Sequence, residues 1–197
     1  SRSGTRPLAV EMPVNLIYGA VPYAVMMTTP ADLVDFAYGF SLTEGIIATA
    51  DEIRSVQVEA DTTAGGMRLL VDLVPGRLRE HLSRKRAMSG RTGCGVCGID
   101  DLASLPKTDA PLHGASRVTI AAIQRALMAM GDAQVLNAET RAVHAAAWAN
   151  LDGSLGALRE DVGRHNGLDK LIGALMRAGT DPNDGFVVIT SRCSLEL

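Results

Sequence analysis

The chain has 197 residues, enough for one sizeable core or two small domains. Hydrophobic residues make up 47% and aromatics only 4%, so any core must be built mainly from Ala, Val, Leu, Ile and Met. A formal net charge of -3 argues against a dedicated nucleic-acid binder, which needs a surplus of Lys and Arg to neutralise phosphates, and no apolar run is long enough to cross a bilayer. The N-terminus has no charged-then-apolar secretion pattern, so cytoplasmic residence is the expectation. Three cysteines, an odd number, do not make a disulfide framework.

Residues 1–10 read as the tail of a linker or an arriving strand. Val14 to Tyr18 alternates as a short strand, Gly19 turns the chain, and Tyr23 to Met27 completes a hairpin. Thr29-Pro30 reads as a helix start, with Thr29 as cap, Pro30 at the first helical position and Asp32 in the first turn. Leu33, Phe36, Ala37 and Phe40 share its apolar face, and it ends between Ser41 and Gly45. Ile53 to Ala60 and Met67 to Val74 form a second hairpin about Gly65-Gly66, closed by Pro75-Gly76. Arg77 to Met88 has the composition of a helix or a solvated arm, with Arg77, Arg79, Arg84, Lys85 and Arg86 close together.

Residues 102–113 contain proline and little pattern, which places a boundary between an N-terminal lobe (1–110) and a C-terminal lobe (111–197). Thr119 to Met128 is an amphipathic helix with Ser116 as its cap, stopping near Gly131. Thr140 to Trp148 is a packed strand or the start of a helix, and periodicity does not decide which. Asn150 to Gly153 turns into a strand at Ser154 to Arg159. A helix then begins at or just before Asn166, with Leu168, Leu171, Ile172, Leu175 and Met176 on its apolar side. Phe186 to Thr190 is a continuous apolar run typical of a buried parallel strand. The fold class is therefore α/β, with an α+β N-terminal lobe and a layered C-terminal lobe. Leu195-Glu196-Leu197 reads as the first turn of another helix, which predicts more chain beyond residue 197.

The stretch Gly90-Arg91-Thr92-Gly93-Cys94-Gly95-Val96-Cys97-Gly98 holds two of the three cysteines among four glycines and has nothing to contribute to a core. It reads as a loop presenting thiols. Cys94 and Cys97 can serve sulfur transfer or thiol exchange, with Arg91 and the upstream basic run lowering a thiol pKa. The same pair can supply half a zinc site, act as a plain redox dithiol or be inert. The basic run is either a solvated face or a surface that steers an acidic partner or an anionic cofactor.

Glu160-Asp161-Val162-Gly163-Arg164-His165-Asn166 is a dense polar cluster between a strand and a helix, where open α/β sheets place ligands. Asp161 can pair with His165, Arg164 can bind an anion, and Asp169 and Lys170 can extend the cluster; helix capping and surface charge are the alternative reading. His144, inside an alanine run, is a satisfied core histidine or a catalytic one. Ser191 and Arg192 occupy the same ligand-facing end of the sheet, with Cys193 read as a small core residue.

Five stretches in order closely resemble the formate dehydrogenase accessory protein family, FdhD: Gly39 to Ile47, Gly90 to Gly98, His144 to Trp148, Glu160 to Gly173 and Ser191 to Leu197. The resemblance implies a sulfur carrier or sulfurtransferase that takes persulfide sulfur from a cysteine desulfurase and passes it to the molybdenum cofactor of formate dehydrogenase. Cys94 matches the family's persulfide residue and Cys97 its second thiol. Also implied is binding of the bis-guanine-dinucleotide molybdopterin cofactor, which guanine nucleotides can mimic; Arg91, His144, Asp161, Arg164, His165, Ser191 and Arg192 are the expected contacts. The second lobe is similar to the cytidine deaminase three-layer α/β/α fold. His144 falls where a deaminase offers a zinc ligand, but no Pro-Cys-x-x-Cys pair follows, so no directly bound metal is expected. Family members continue into a basic segment close to Lys-Pro-Gly-Arg, absent here, and an open sheet edge leads to the expectation of a homodimer. A cofactor-binding chaperone without sulfur chemistry is the competing reading.

Overall fold

A computed structural model of the protein describes residues 6–80 and 116–193. Arg91, Cys94, Cys97, the basic positions Arg84 to Arg86 and the expected lobe boundary all lie outside the described residues.

β1 (Met12–Tyr18) and β2 (Val21–Thr28) pair antiparallel around Gly19 and Ala20, whose φ values of 52° and 69° give the two-residue loop a hairpin requires. β3 (Ile53–Asp61) and β4 (Gly66–Leu73) form the second hairpin. β4 lies parallel to β1, giving the order β2-β1-β4-β3. The join follows from matched apolar faces. Val14, Leu16 and Tyr18 line up with Leu69, Val71 and Leu73 against one helix, α1 (Leu33–Thr43), through its buried Leu33, Phe36, Ala37 and Phe40. Those are the four residues the apolar spacing marked.

The start of α1 differs from expectation. Its N-cap is Asp32, at φ 54°, rather than Thr29, and Pro30 precedes the helix. The cause is tertiary: the Thr29 N–H and hydroxyl are already engaged by the second lobe, so the chain cannot coil until it has passed them.

In the second lobe α2 (Ile120–Ala133) is capped by the Thr119 hydroxyl, which accepts from the Ala122 N–H at 3.1 Å. Ser116, the expected cap, instead donates to the Asn183 carbonyl at 2.6 Å. A short α3 (Val135–Thr140), which the sequence reading missed, precedes β5 (His144–Asn150), β6 (Leu155–Asp161), α4 (Arg164–Ala178) and β7 (Gly185–Ile189). The ambiguous alanine run is thus a central strand. Ala145, Ala147 and Ala149 face Ala126 and Met130 of α2, while Ala146 and Trp148 face Leu171 of α4. Burial on both sides removes the polar alternation that would have identified it. The sheet order is β6-β5-β7, and β7 runs antiparallel to β5 at an edge, correcting the expected buried parallel strand.

α1 and α4 cross so closely that a Cβ on Gly39 would stand 1.8 Å from the Asp169 carbonyl oxygen, and one on Gly173 would stand 1.8 Å from that of Asp35. Around this crossing the buried Asp35 carboxylate accepts from Arg159 Nε at 2.8 Å and Nη2 at 2.7 Å, and from Arg177 Nη1 at 2.5 Å. Alanine ordinarily stabilises a helix by up to about 1 kcal/mol over glycine. At Gly39 and Gly173 the sign should reverse, with each Gly→Ala variant losing roughly 2 kcal/mol or more as the backbones are forced apart. Gly131→Ala in α2, where a Cβ would meet nothing within 4 Å, should show the ordinary gain. Urea unfolding of the three variants checks this; stabilisation at all three sites would refute a backbone-to-backbone crossing.

Candidate functional site

One end of the three-stranded sheet gathers the C-terminal candidates. His144 begins β5 opposite Asp161, the last residue of β6. β7 ends beside them, where the Thr190 N–H donates to the Ala145 carbonyl at 3.0 Å and the Thr190 hydroxyl accepts from the Ala145 N–H at 2.9 Å. Ser191 and Arg192 follow directly. α4 opens at the same end with Arg164 and His165, after Gly163 as N-cap. His144, Arg164, His165 and Ser191 are half-buried and Arg192 is exposed. Two arginines and two histidines therefore lie at the end of the sheet where a 15-residue helix begins, a placement suited to an anion.

Beneath this rim lies a polar knot. Asp161 is fully buried, with 0% exposure, so it lies under the site and offers no surface to a ligand. Its Oδ1 accepts from the Gly163 N–H at 2.7 Å and from Asn166 Nδ2 at 3.1 Å. Its Oδ2 accepts from the Thr28 hydroxyl, the Thr29 N–H at 3.0 Å and Lys170 Nζ at 2.5 Å. Lys170, also at 0% exposure, donates as well to the Thr29 carbonyl at 2.8 Å, and Asn166 to the Met27 carbonyl at 2.8 Å. Asp161 thus has Lys170 as its ion-pair partner, where the sequence reading proposed His165. Burial pushes the Lys170 ammonium below the usual lysine range, and the neighbouring carboxylate opposes that shift.

Glu160, the first acid of the cluster, turns away. Its carboxylate accepts from the Leu136 and Asn137 N–H groups, both at 2.8 Å, and so caps α3. Cys193 is exposed, correcting its reading as a core residue. Thr28 and Thr29 were missed as site-supporting residues because the side they serve lies more than 130 positions along the chain. Among the described residues no group of three or more His, Cys, Asp or Glu side chains is placed to hold a metal. No described helix is long and apolar enough to cross a membrane.

Asp169 occupies the helix crossing beside this knot. Burial pushes its carboxyl up to about 7, with Glu44 and Asp161 adding to the rise and a 3.0 Å hydrogen bond from the Thr43 hydroxyl opposing it. The folded chain therefore holds this proton well above the pH at which an unfolded aspartate, near 3.9, releases it. Its contribution to stability is full below about pH 4 and is lost as pH rises toward 7. Between pH 5 and 7 the wild type should lose roughly 2 kcal/mol more than Asp169→Asn in urea unfolding. Parallel stability curves would show the group ionised throughout that range.

The match to the FdhD/NarQ family spans residues 9–197. The chain is 48% identical over 190 residues to a protein named sulfur carrier protein FdhD from Xanthomonas euvesicatoria pv. vesicatoria, covering 96% of this chain and 67% of that one. A protein of the same name from Cupriavidus necator is 42% identical, covering 96% of this chain and 65% of that one. A crystal structure described as a formate dehydrogenase accessory protein from Desulfotalea psychrophila aligns with a TM-score of 0.66 at 26% identity, covering 93% of this chain and 65% of that one. The chain spans about two thirds of the length of these relatives. With the family match running over nearly its whole length, the chain belongs to the FdhD/NarQ family.

Proposed function

We propose that this chain is a sulfur carrier in formate dehydrogenase maturation, taking persulfide sulfur from a cysteine desulfurase and delivering it to the molybdenum cofactor that formate dehydrogenase uses. The names of its relatives support the sulfur-carrier part, and Cys94 and Cys97 supply the only closely spaced thiols in the sequence. The Cys94 thiolate attacks the outer sulfur of the donor persulfide. A new Cys94 S–S bond forms, the donor S–S bond breaks, and the desulfurase cysteine leaves as thiolate. Cys97 then attacks the Cys94 sulfur, releasing the terminal sulfur as sulfide to the cofactor and leaving a Cys94–Cys97 disulfide that a cellular dithiol reduces.

The observation that carries the cofactor half is the placement of Arg164, His165, His144, Ser191 and Arg192 at one sheet end, where α4 begins. Guanidinium, imidazole and hydroxyl donors suit the diphosphates of a guanine-dinucleotide cofactor, the substrate here. Asp161, whose charge would repel phosphate, is withdrawn and neutralised by Lys170. Arg91 joins these residues in the proposal on the resemblance alone. The protein is proposed to act as a homodimer in the cytoplasm.

Incubation with cysteine desulfurase and cysteine, followed by intact mass and peptide mapping, tests the reading. One added sulfur atom on Cys94 is expected. An unmodified Cys94 in a preparation that still activates formate dehydrogenase would replace the carrier with an escorting chaperone.

A further inference from the structure

The buried knot joins parts of the chain that share no secondary structure. From the first lobe come Met27, Thr28 and Thr29, at the end of β2; from the second come Asp161 at the end of β6, Val162 and Gly163 in the turn that follows, and Asn166 and Lys170 in the first two turns of α4. Each side satisfies the other. Asp161 takes the Thr28 hydroxyl and the Thr29 N–H, Lys170 takes the Thr29 carbonyl, and the Thr29 hydroxyl accepts the Val162 N–H at 3.2 Å. A fully buried carboxylate and ammonium are expensive to keep compared with apolar side chains of the same size, so holding the fold together is a weak reason for their presence. Their directional bonds instead set register. The turn they grip leads directly into Arg164 and His165, the first residues of α4, while Asp35 with Arg159 and the Gly39–Gly173 crossing already hold the lobes together elsewhere.

We infer that Asp161 and Lys170 are positioning residues: with Thr28 and Thr29 they register the end of β2 against the turn from β6 into α4, and so fix Arg164 and His165 at the rim of the anion site. The ligand part of this inference rests on the reading under Proposed function; the registration of the turn does not. Completion of the rim therefore depends on the first lobe, although none of the C-terminal candidates belongs to it.

Thr28 gives the cleanest test, because Thr28→Val removes the hydroxyl at nearly constant shape and Thr28→Ser keeps it. Nitrogen-resolved NMR of the full chain reads amide exchange at Thr29, Val162 and Gly163, with Leu69 in β4 and Ala126 in α2 as references, and titration with guanosine diphosphate reads affinity. Loss of one hydrogen bond to a buried charge should speed exchange at the three knot amides about tenfold in Thr28→Val and weaken nucleotide binding about tenfold. Thr28→Ser should restore both, and the reference amides should change little. Unchanged knot exchange in Thr28→Val, or exchange raised equally at Leu69 and Ala126, would overturn the positioning role, the second result marking the knot as general scaffold. A wild type that binds no guanosine diphosphate would overturn the link to the anion site, leaving the registration to be decided by the exchange data.

Discussion

Cys94→Ala is expected to accept no sulfur from a cysteine desulfurase and to leave formate dehydrogenase inactive. A methyl group cannot form the S–S bond on which transfer depends, and Cys94→Ser should fail as well because its hydroxyl is not ionised near neutral pH. Cys97→Ala separates loading from release: it should acquire the Cys94 persulfide but deliver its sulfur poorly, because no neighbouring thiol remains to expel it. Labelled-sulfur transfer to the cofactor, followed by formate oxidation, reads both steps. Full activation by Cys94→Ala would end the sulfur-transfer mechanism, and equal delivery by Cys97→Ala and wild type would remove the second thiol from it.

Lys170→Met is expected to cost about 3–5 kcal/mol of stability, because it leaves the buried Asp161 carboxylate without its counter-ion. That is a large part of the roughly 5–15 kcal/mol available to a typical domain. The methionine fills nearly the same volume, so cavity formation contributes little. Adding Asp161→Asn should recover part of the loss, since a neutral amide no longer needs a cation, and the two substitutions should be strongly non-additive. Urea unfolding of the two single variants and the double variant closes the cycle. A Lys170→Met protein within about 1 kcal/mol of wild type would show that the four remaining donors to Asp161 carry its charge unaided.

Between these two experiments lies the division of labour in the molecule. The thiols belong to a glycine-rich stretch readable from composition alone. The groups proposed to receive the cofactor are brought together by a sheet end whose geometry depends on long-range pairing. Lys170 shows the gap most clearly. On a helical wheel it looks like a solvated charge beside an apolar stripe, yet it is wholly enclosed, because α4 turns Asp169 and Gly173 toward α1 and Gly167 and Lys170 toward Asp161 at the end of β6. Leu171, by contrast, sits in the core where the apolar spacing placed it.

From the sequence alone came the apolar face of α1, both hairpins of the first lobe, the mixed α/β order of the second and the family, each of which rests on local spacing or on contiguous motifs. The tertiary structure alone decided the parallel join of β1 to β4, the antiparallel placement of β7, the delayed start of α1 and the partner of Asp161. Those depend on groups far apart along the chain, such as Thr29 and Val162, whose meeting is set by which faces can be buried together. Period and propensity carry no record of such meetings.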